Sequence, residues 1–409
     1  MMMKKKAEIS NKKPSSSSDR HNLNNNLNNN LNNDEIGKSS SSGLIYHCFN
    51  RGKQAISLNF KKKQHVEELK RLICCYSNDN DDGDQRRKAV KVLIDSSRPG
   101  KLESLLGVGK IEELLEENLQ LIICRISAFG QDIGKYSDIP AHDMNAVGSA
   151  GVFDVAGDVS EKNKQLKPLP IQLSDVLTGY SSALQVVAMV RKIEALNYSV
   201  KSTEERERIL RGMNRVIDIS MFDNAISAIQ MPLSLTLNGF DKMASEGRSV
   251  LSGSILGYNI YPTKSGQLAV GCLEPHFWSG FIQALSVHDK ENPKDSWKQF
   301  TTVEFLFSND SKLKQRIVKV LEQKSAEEWE KIFAFDLKLP ITKVRKLKEV
   351  DRELLQQRNM LTSSNLVKNA LDYKSIQLTV SGNQSEELQP MNEFGPLLGE
   401  HNQLYLSKL

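Results

Sequence analysis

AVKVLIDSSRPGKLESLLGVGKIEELLEENLQLIICRIS (residues 89–127) is the stretch that decides the fold. Its two ends, AVKVLIDS (89–96) and LQLIICRIS (119–127), are near-continuous apolar runs, and GKIEELLEEN (109–118) between them reads as a helix. A strand covered on both faces loses the polar and apolar alternation of a half-wetted one. Strand, helix and strand in this order therefore predict a parallel sheet of the doubly wound α/β kind.

Upstream, KKQHVEELKRLICCY (62–76) places Val66, Leu69, Leu72 and Ile73 at helical spacing, QAISLNF (54–60) alternates like a strand, and NDNDDGDQRRK (78–88) is a hydrophilic loop. Residues 1–43 are rich in Ser, Asn and Lys and too poor in apolar side chains to offset the entropy of ordering, so they are expected to be disordered. Downstream, SDVLTGYSSALQVVAMVRKIEAL (174–196) predicts a long amphipathic helix capped by Ser174 or Asp175, and RVIDISMFDNAISAI (215–229) a strand running into a helix. From about Gly257 short strands and turns take over, followed by helices at HFWSGFIQAL (276–285) and SAEEWEKIF (325–333). The expected organisation is a tail (1–43), a large α/β domain (44–215), a smaller α+β domain (216–334) and a return to the large domain ending in a C-terminal tail (335–409).

Composition narrows the function classes. The net charge is +5, but residues 1–43 hold seven Lys or Arg against four Asp or Glu, which leaves +2 for the rest and no basic stripe suited to nucleic acid. No apolar run approaches the eighteen or so residues of a membrane helix, so the chain reads as soluble, with no membrane partner. Five cysteines (Cys48, Cys74, Cys75, Cys124, Cys272) lack metal-ligand spacing and predict neither a disulfide framework nor a metal site. The final Ser407, Lys408 and Leu409 form a Ser-Lys-Leu address of the type read by a peroxisomal import receptor.

Chemistry concentrates in RISAFGQDIGKYSDIPAHDMNAVGSAGVF (125–153). A strand ends, a glycine-containing loop follows, and His142 stands where that loop enters a helix starting near Asp143. The first N–H groups of such a helix point at whatever lies in front of it, which sets a possible base beside a possible oxyanion site. A histidine that only caps or packs there fits the same spacing.

The ordered series SRPG (97–100), RISAFGQ (125–131), AHDMN (141–145), LSDVLTGYSSAL (173–184), VIDISMFDNA (216–225), YNIYPTKSGQLAVGCLEPHFW (258–278) and LLGEHN (397–402) resembles the class III coenzyme A transferase superfamily, and within it the branch that racemises 2-methyl-branched acyl-CoA thioesters. The resemblance implies a Rossmann-like large domain, a smaller second domain and an interlocked homodimer. By position it makes His142 and Asp175 the catalytic pair and Glu274, supplied by the other subunit, the support of the histidine. The backbone N–H of Asp143 becomes the oxyanion donor, and Arg51, Lys53, Arg98, Lys101 and Arg125 become contacts for coenzyme A. No cofactor is implied beyond the coenzyme A that the substrate carries. A thioester acidifies its α-hydrogen only modestly, so a base, donors for the enolate oxygen and a second proton-exchanging group on the opposite face are all required. The implied role is epimerisation ahead of peroxisomal β-oxidation. The alternatives are a coenzyme A transferase with Asp175 as nucleophile and an inactive paralogue that binds acyl-CoA or a partner.

The resemblance begins late. The strand and helix that open the large domain in the superfamily have no counterpart, and the Asn/Ser tail stands in their place, as in a truncated or misjoined product. The expectation is a sheet short of its first βα unit. Ala141 and Ser265 also depart from the glycine and aspartate usual at their positions. Tyr258 and Tyr261 are candidates for an acyl-pocket wall or for core, and Met189, Met213, Met221 and Met231 for an adaptable apolar lining or for core.

Overall fold

The computed structural model describes residues 49–50, 53–74, 90–156, 168–240, 253–358, 361–364 and 373–376. The chain divides into two compact units, Met1–Glu68 with Asp351–Leu409, and Leu69–Val350. The expectations for residues 1–43, Arg51, the 78–88 loop, LLGEHN and Ser407 to Leu409 lie outside the described residues.

In the second unit β1 (Val92–Asp95), β2 (Ile122–Ser127) and β3 (Val216–Ser220) form a parallel sheet in the order β1-β2-β3. This is the α/β architecture that residues 89–127 predict. Ile122, Ile123 and Cys124 of the central strand are buried, as a strand covered on both faces requires. β1 departs from the prediction. Among the described residues it pairs with β2 alone and is an edge strand, with Ile94 59% exposed, rather than a fully buried one.

Helix α1 (Lys63–Cys74) matches its predicted face, with Ile73 and Cys74 buried. After β1 come α2 (Lys101–Leu106) and a short α3 (Glu113–Glu117). The helix expected over 109–118 begins only at Glu113 because Glu113 Oε1 accepts from the backbone N–H groups of Gly109 and Lys110, both at 3.0 Å, and folds that segment into a loop. Two buried polar side chains tie the turn into β2. Asn118 donates to the carbonyls of Ile73 (2.8 Å) and Val90 (3.0 Å). Arg215 donates to those of Leu115, Asn118, Leu119 and Leu121 at 2.7 to 3.2 Å. Burial, the largest influence on Arg215, lowers its pKa.

Helix α4 (Asp143–Ser149) follows β2, and α5 (Leu173–Ser199) crosses the sheet. α6 (Thr203–Gly212) leads into β3, and α7 (Met221–Ala228) leaves it, capped by Ser220 Oγ on the Asp223 N–H at 3.2 Å. Ile122, Cys124, Ile193, Leu210, Ile217 and Ile219 form the core between sheet and helices. A second cluster with Val147, Ala150 and Ala225 joins α4 to α7. Helix α5 buries Ser174, Thr178, Ser182 and Ile193, while Val176, Tyr180, Leu184 and Val187 are 53%, 52%, 71% and 64% exposed. By length and composition it is the one helix among the described residues long and apolar enough to cross a membrane, although it holds no unbroken apolar run of that length.

The antiparallel sheet of β4 (Tyr258–Pro262), β5 (Gln267–Gly271) and β6 (Ile341–Lys343) is separate from the parallel one. It packs with α8 (Pro275–His288), α9 (Ser311–Leu321) and α10 (Ala326–Glu330) around one core. SAEEWEKIF starts as α10 under a Ser325 and Glu328 capping box but widens after Glu330 into a π-helical turn, Lys331–Asp336. Trp278, Trp297 and Trp329 are at most 1% exposed, and each indole N–H has an acceptor: Phe300 O (2.8 Å), Asp289 Oδ2 (2.9 Å) and Leu321 O (2.8 Å).

The first unit contains a hairpin-type pair, β7 (Leu361–Ser364) with β8 (Tyr373–Ile376). QAISLNF is not a strand. Alternation is compatible with an extended segment that is no part of a regular ladder, and residues 54–60 lie outside every strand of the described residues.

Candidate active site

In open parallel sheets ligands bind outside the carboxyl ends of the strands. There the loop after β2 is fastened across to β3. Gly130 N–H donates to Ser127 Oγ (3.0 Å), Gln131 N–H to Asp218 Oδ2 (2.9 Å), and Phe222 N–H to Ala128 O (2.9 Å). Gly130 takes φ +111°, a conformation that side-chain-bearing residues avoid, which lets the loop turn beside Asp218.

The loop delivers His142 to the N-cap of α4 in an extended conformation, φ −118° and ψ 178°. Asn145 Oδ1 accepts from the His142 N–H at 3.0 Å, holding the backbone of that turn while the imidazole stays exposed. The next residue reaches across to α5: Asp143 Oδ1 accepts from Ser174 N–H (2.7 Å), Ser174 Oγ–H (3.0 Å) and Asp175 N–H (3.0 Å). α5 begins at Leu173 after Gln172, whose side chain makes no capping bond. The expected cap by Ser174 or Asp175 is thus corrected. Both lie inside the first turn, and the acceptor comes from α4.

This arrangement brings His142, Asp143 and Asp175 together. The Asp175 carboxyl, which accepts from Gln172 Nε2 at 3.1 Å, has a raised pKa. Partial desolvation is the largest cause and the Asp143 carboxylate the next, while the Gln172 bond and His142 pull the other way. A carboxyl moved toward neutrality beside an imidazole is a pair able to exchange proton roles.

The other expected residues have settings of their own. Glu274 is the exposed N-cap of α8, and among the described residues no hydrogen bond joins it to His142. Arg98 and Lys101 are exposed on either side of a turn closed by Lys101 N–H to Arg98 O (3.0 Å), with Gly100 at φ +74°. Arg125 is 5% exposed and committed internally, to Glu103 at 2.6 and 3.2 Å and to Asp95 at 3.5 Å. Lys53, in the first unit, donates to Asn50 Oδ1 at 3.0 Å.

Tyr261 is fully buried, donates to Leu256 O at 2.8 Å and has its pKa driven up by burial; it belongs to the core, and Tyr258 is half-buried. Met189 and Met213 pack on the parallel-sheet core, Met221 is half-buried and Met231 is 47% exposed. Among the described residues no three His, Cys, Asp or Glu side chains are grouped to hold a metal. Sequence reasoning missed Asn145 and the carboxylate of Asp143, although both stand in the AHDMN motif. It also missed Gln131, whose amide nitrogen and oxygen are buried with no hydrogen-bond partner among the described residues.

The model of CoA-transferase family III matches residues 29–402. The chain is 27% identical over 285 residues to mouse alpha-methylacyl-CoA racemase and 27% identical over 293 residues to the human one. Each match covers 69% of this chain, which spans 63% of the length of those relatives. Human succinyl-CoA:glutarate CoA-transferase is 23% identical over 232 residues, covering 56% of this chain and 44% of that one. A crystal structure of a CaiB/BaiF family protein from Brucella suis superimposes with a TM-score of 0.62 at 20% identity, covering 89% of this chain and 83% of that one.

Proposed function

Because the chain belongs to CoA-transferase family III, we propose that it epimerises the α-carbon of 2-methyl-branched acyl-CoA thioesters. One group of the His142 and Asp175 pair removes the α-proton, the C–H electrons pass to the thioester oxygen, and the other group returns a proton to the opposite face of the carbon. The two exchange roles in the reverse direction. The backbone N–H of Asp143, in the first turn of α4 where a helix leaves its N–H groups without an internal acceptor, is the donor for the enolate oxygen; losing one such donor costs about 3 kcal/mol in comparable sites. Arg98 and Lys101, exposed at the carboxyl end of β1, suit the coenzyme's phosphates. Glu274 of the partner subunit is assigned to orient His142, and a second copy of the chain to cover the apolar face of α5.

The observation that carries this reading is the joining of His142 and Asp175 through Asp143. The racemase relatives support it. A transferase reading, favoured by the succinyl-CoA:glutarate relative, makes Asp175 a nucleophile that forms an anhydride with the acyl group. Incubation with a 2-methyl-branched acyl-CoA in deuterated water separates the two. Epimerisation gives α-deuterium uptake with no carboxylic acid present and loses it in His142→Ala, whereas strict dependence on an acceptor acid establishes the transferase.

A further inference from the structure

We propose that the carboxylate of Asp143 is a positioning residue for the catalytic pair, clipping the first turn of α5, and with it Asp175, onto the turn that carries His142. The inference rests on the epimerase reading and deepens it.

A helix begins with four N–H groups that its own backbone leaves unpaired, and a side-chain oxygen usually takes those of the second and third residues. In α5 these are Ser174 and Asp175, and Asp143 Oδ1 takes both, at 2.7 and 3.0 Å, with the Ser174 hydroxyl as a third donor. The capping group of the helix that bears one catalytic side chain is therefore the neighbour in sequence of the other. Bonds to an ionised acceptor are about twice as strong as neutral ones. Ser174 is fully buried, which shields the contact from competing water. The spacing between imidazole and carboxyl is thus set by one peptide unit and one carboxylate, not by the chain between the helices.

The same oxygen has an electrical effect. Asp143 and His142 are the titratable groups acting on Asp175 among the described residues, and Asp143 opposes its ionisation. Asp223, the acidic residue in the first turn of α7, which packs on both helices, is absent from the causes of that shift.

Asp143→Asn keeps an oxygen acceptor and removes the charge; Asp143→Ala removes both. The full-length protein and both variants are compared by deuterium exchange against pH, by 13C titration of the Asp175 carboxyl assigned with Asp175→Asn, and by thermal circular dichroism. The expected result for Asp143→Ala is a loss of at least about tenfold in kcat, with a smaller change in KM, as misplacement of a reacting group produces. Asp143→Asn is expected to retain more kcat than the alanine variant and to move both the Asp175 titration and the acid limb of the pH profile to lower pH. Wild-type kcat and an unmoved Asp175 titration in both variants, with only Tm reduced, would overturn the proposal. If the wild-type protein exchanges no deuterium, the epimerase reading fails by itself and the carboxyl titration judges the clip: a downward shift in Asp143→Asn sustains it, and an unmoved titration ends it. Should Asp143→Ala not fold, the asparagine variant decides.

Discussion

Arg125 grips Glu103 with both arms of its guanidinium, Nη1 to Oε1 at 2.6 Å and Nη2 to Oε2 at 3.2 Å, with the two side chains only 6% and 15% exposed. Asp95, which accepts from Ser97 Oγ at 2.6 Å, lies 3.5 Å from the same Nη2. An arginine held this way serves the junction of β1, α2 and β2. Glu103→Ala strands its charge in the interior, and the expected cost is about 3 kcal/mol of unfolding free energy, read as a lower urea midpoint. Glu103→Gln, which keeps acceptor and shape, is expected to cost less.

The exposed cations of the β1 turn behave differently. Arg98→Ala and Lys101→Ala are each expected to weaken coenzyme A binding about five- to tenfold while leaving the urea midpoint within error, as measured by isothermal titration. A steeper salt dependence in the wild type than in either variant would accompany that loss.

The raised pKa of Asp175 fixes the sense of one pH effect. The carboxyl acts as base only when ionised, and its ordinary value of 3.8 is displaced upward, by desolvation first and Asp143 second. Under the proposed epimerisation, exchange initiated by Asp175 is expected to be fully active above the raised value and to fall as pH drops through it, at a higher pH than an ordinary aspartate would give. Initial rates from the two substrate epimers, followed against pH, measure it.

Asp289 gives the opposite case, and for stability. Burial would raise its pKa, but the Glu291 N–H, the Asn292 amide, the Trp297 indole and Arg316 together hold it below 3.8. The native state favours the ionised form more than the unfolded chain does, so this contribution is complete above 3.8 and disappears as pH falls through the lowered folded-state value. Urea midpoints taken through that range are expected to fall with pH, and less steeply in Asp289→Asn.

Gly257 has no room for a side chain. A Cβ there would lie 2.7 Å from the Cys272 carbonyl oxygen and collide with Leu306. Gly257→Ala is expected to cost about 1–3 kcal/mol or more by overpacking, measurable by chemical denaturation.

What the sequence revealed depended on whether its signal was local. The apolar runs of β1 and β2 specify a parallel sheet because burial on both faces leaves a mark in composition. The junction at His142 is equally local, a loop running into a capped helix. Edge and centre leave no such mark, and Ile94 on the rim reads like Ile123 at the core. QAISLNF shows the same limit, since its alternation reads as a strand and the segment is not one. Ser174 and Asp175 are good capping residues by type, but the group that caps α5 is 31 residues away in sequence, where no local pattern points to it. The motif around Arg125 suggests a ligand contact, whereas folding brings Glu103 and Asp95 against its charge.

All three tryptophans of the chain lie in the core of the antiparallel part, and among the described residues none belongs to the parallel-sheet core. Their intrinsic fluorescence is consequently a local reporter. Excited selectively, it follows the loosening of that core and stays nearly blind to the region that holds His142 and Asp175. Far-ultraviolet dichroism sums over both, so any gap between the two melting curves would give the difference in resilience between the halves without a single added label.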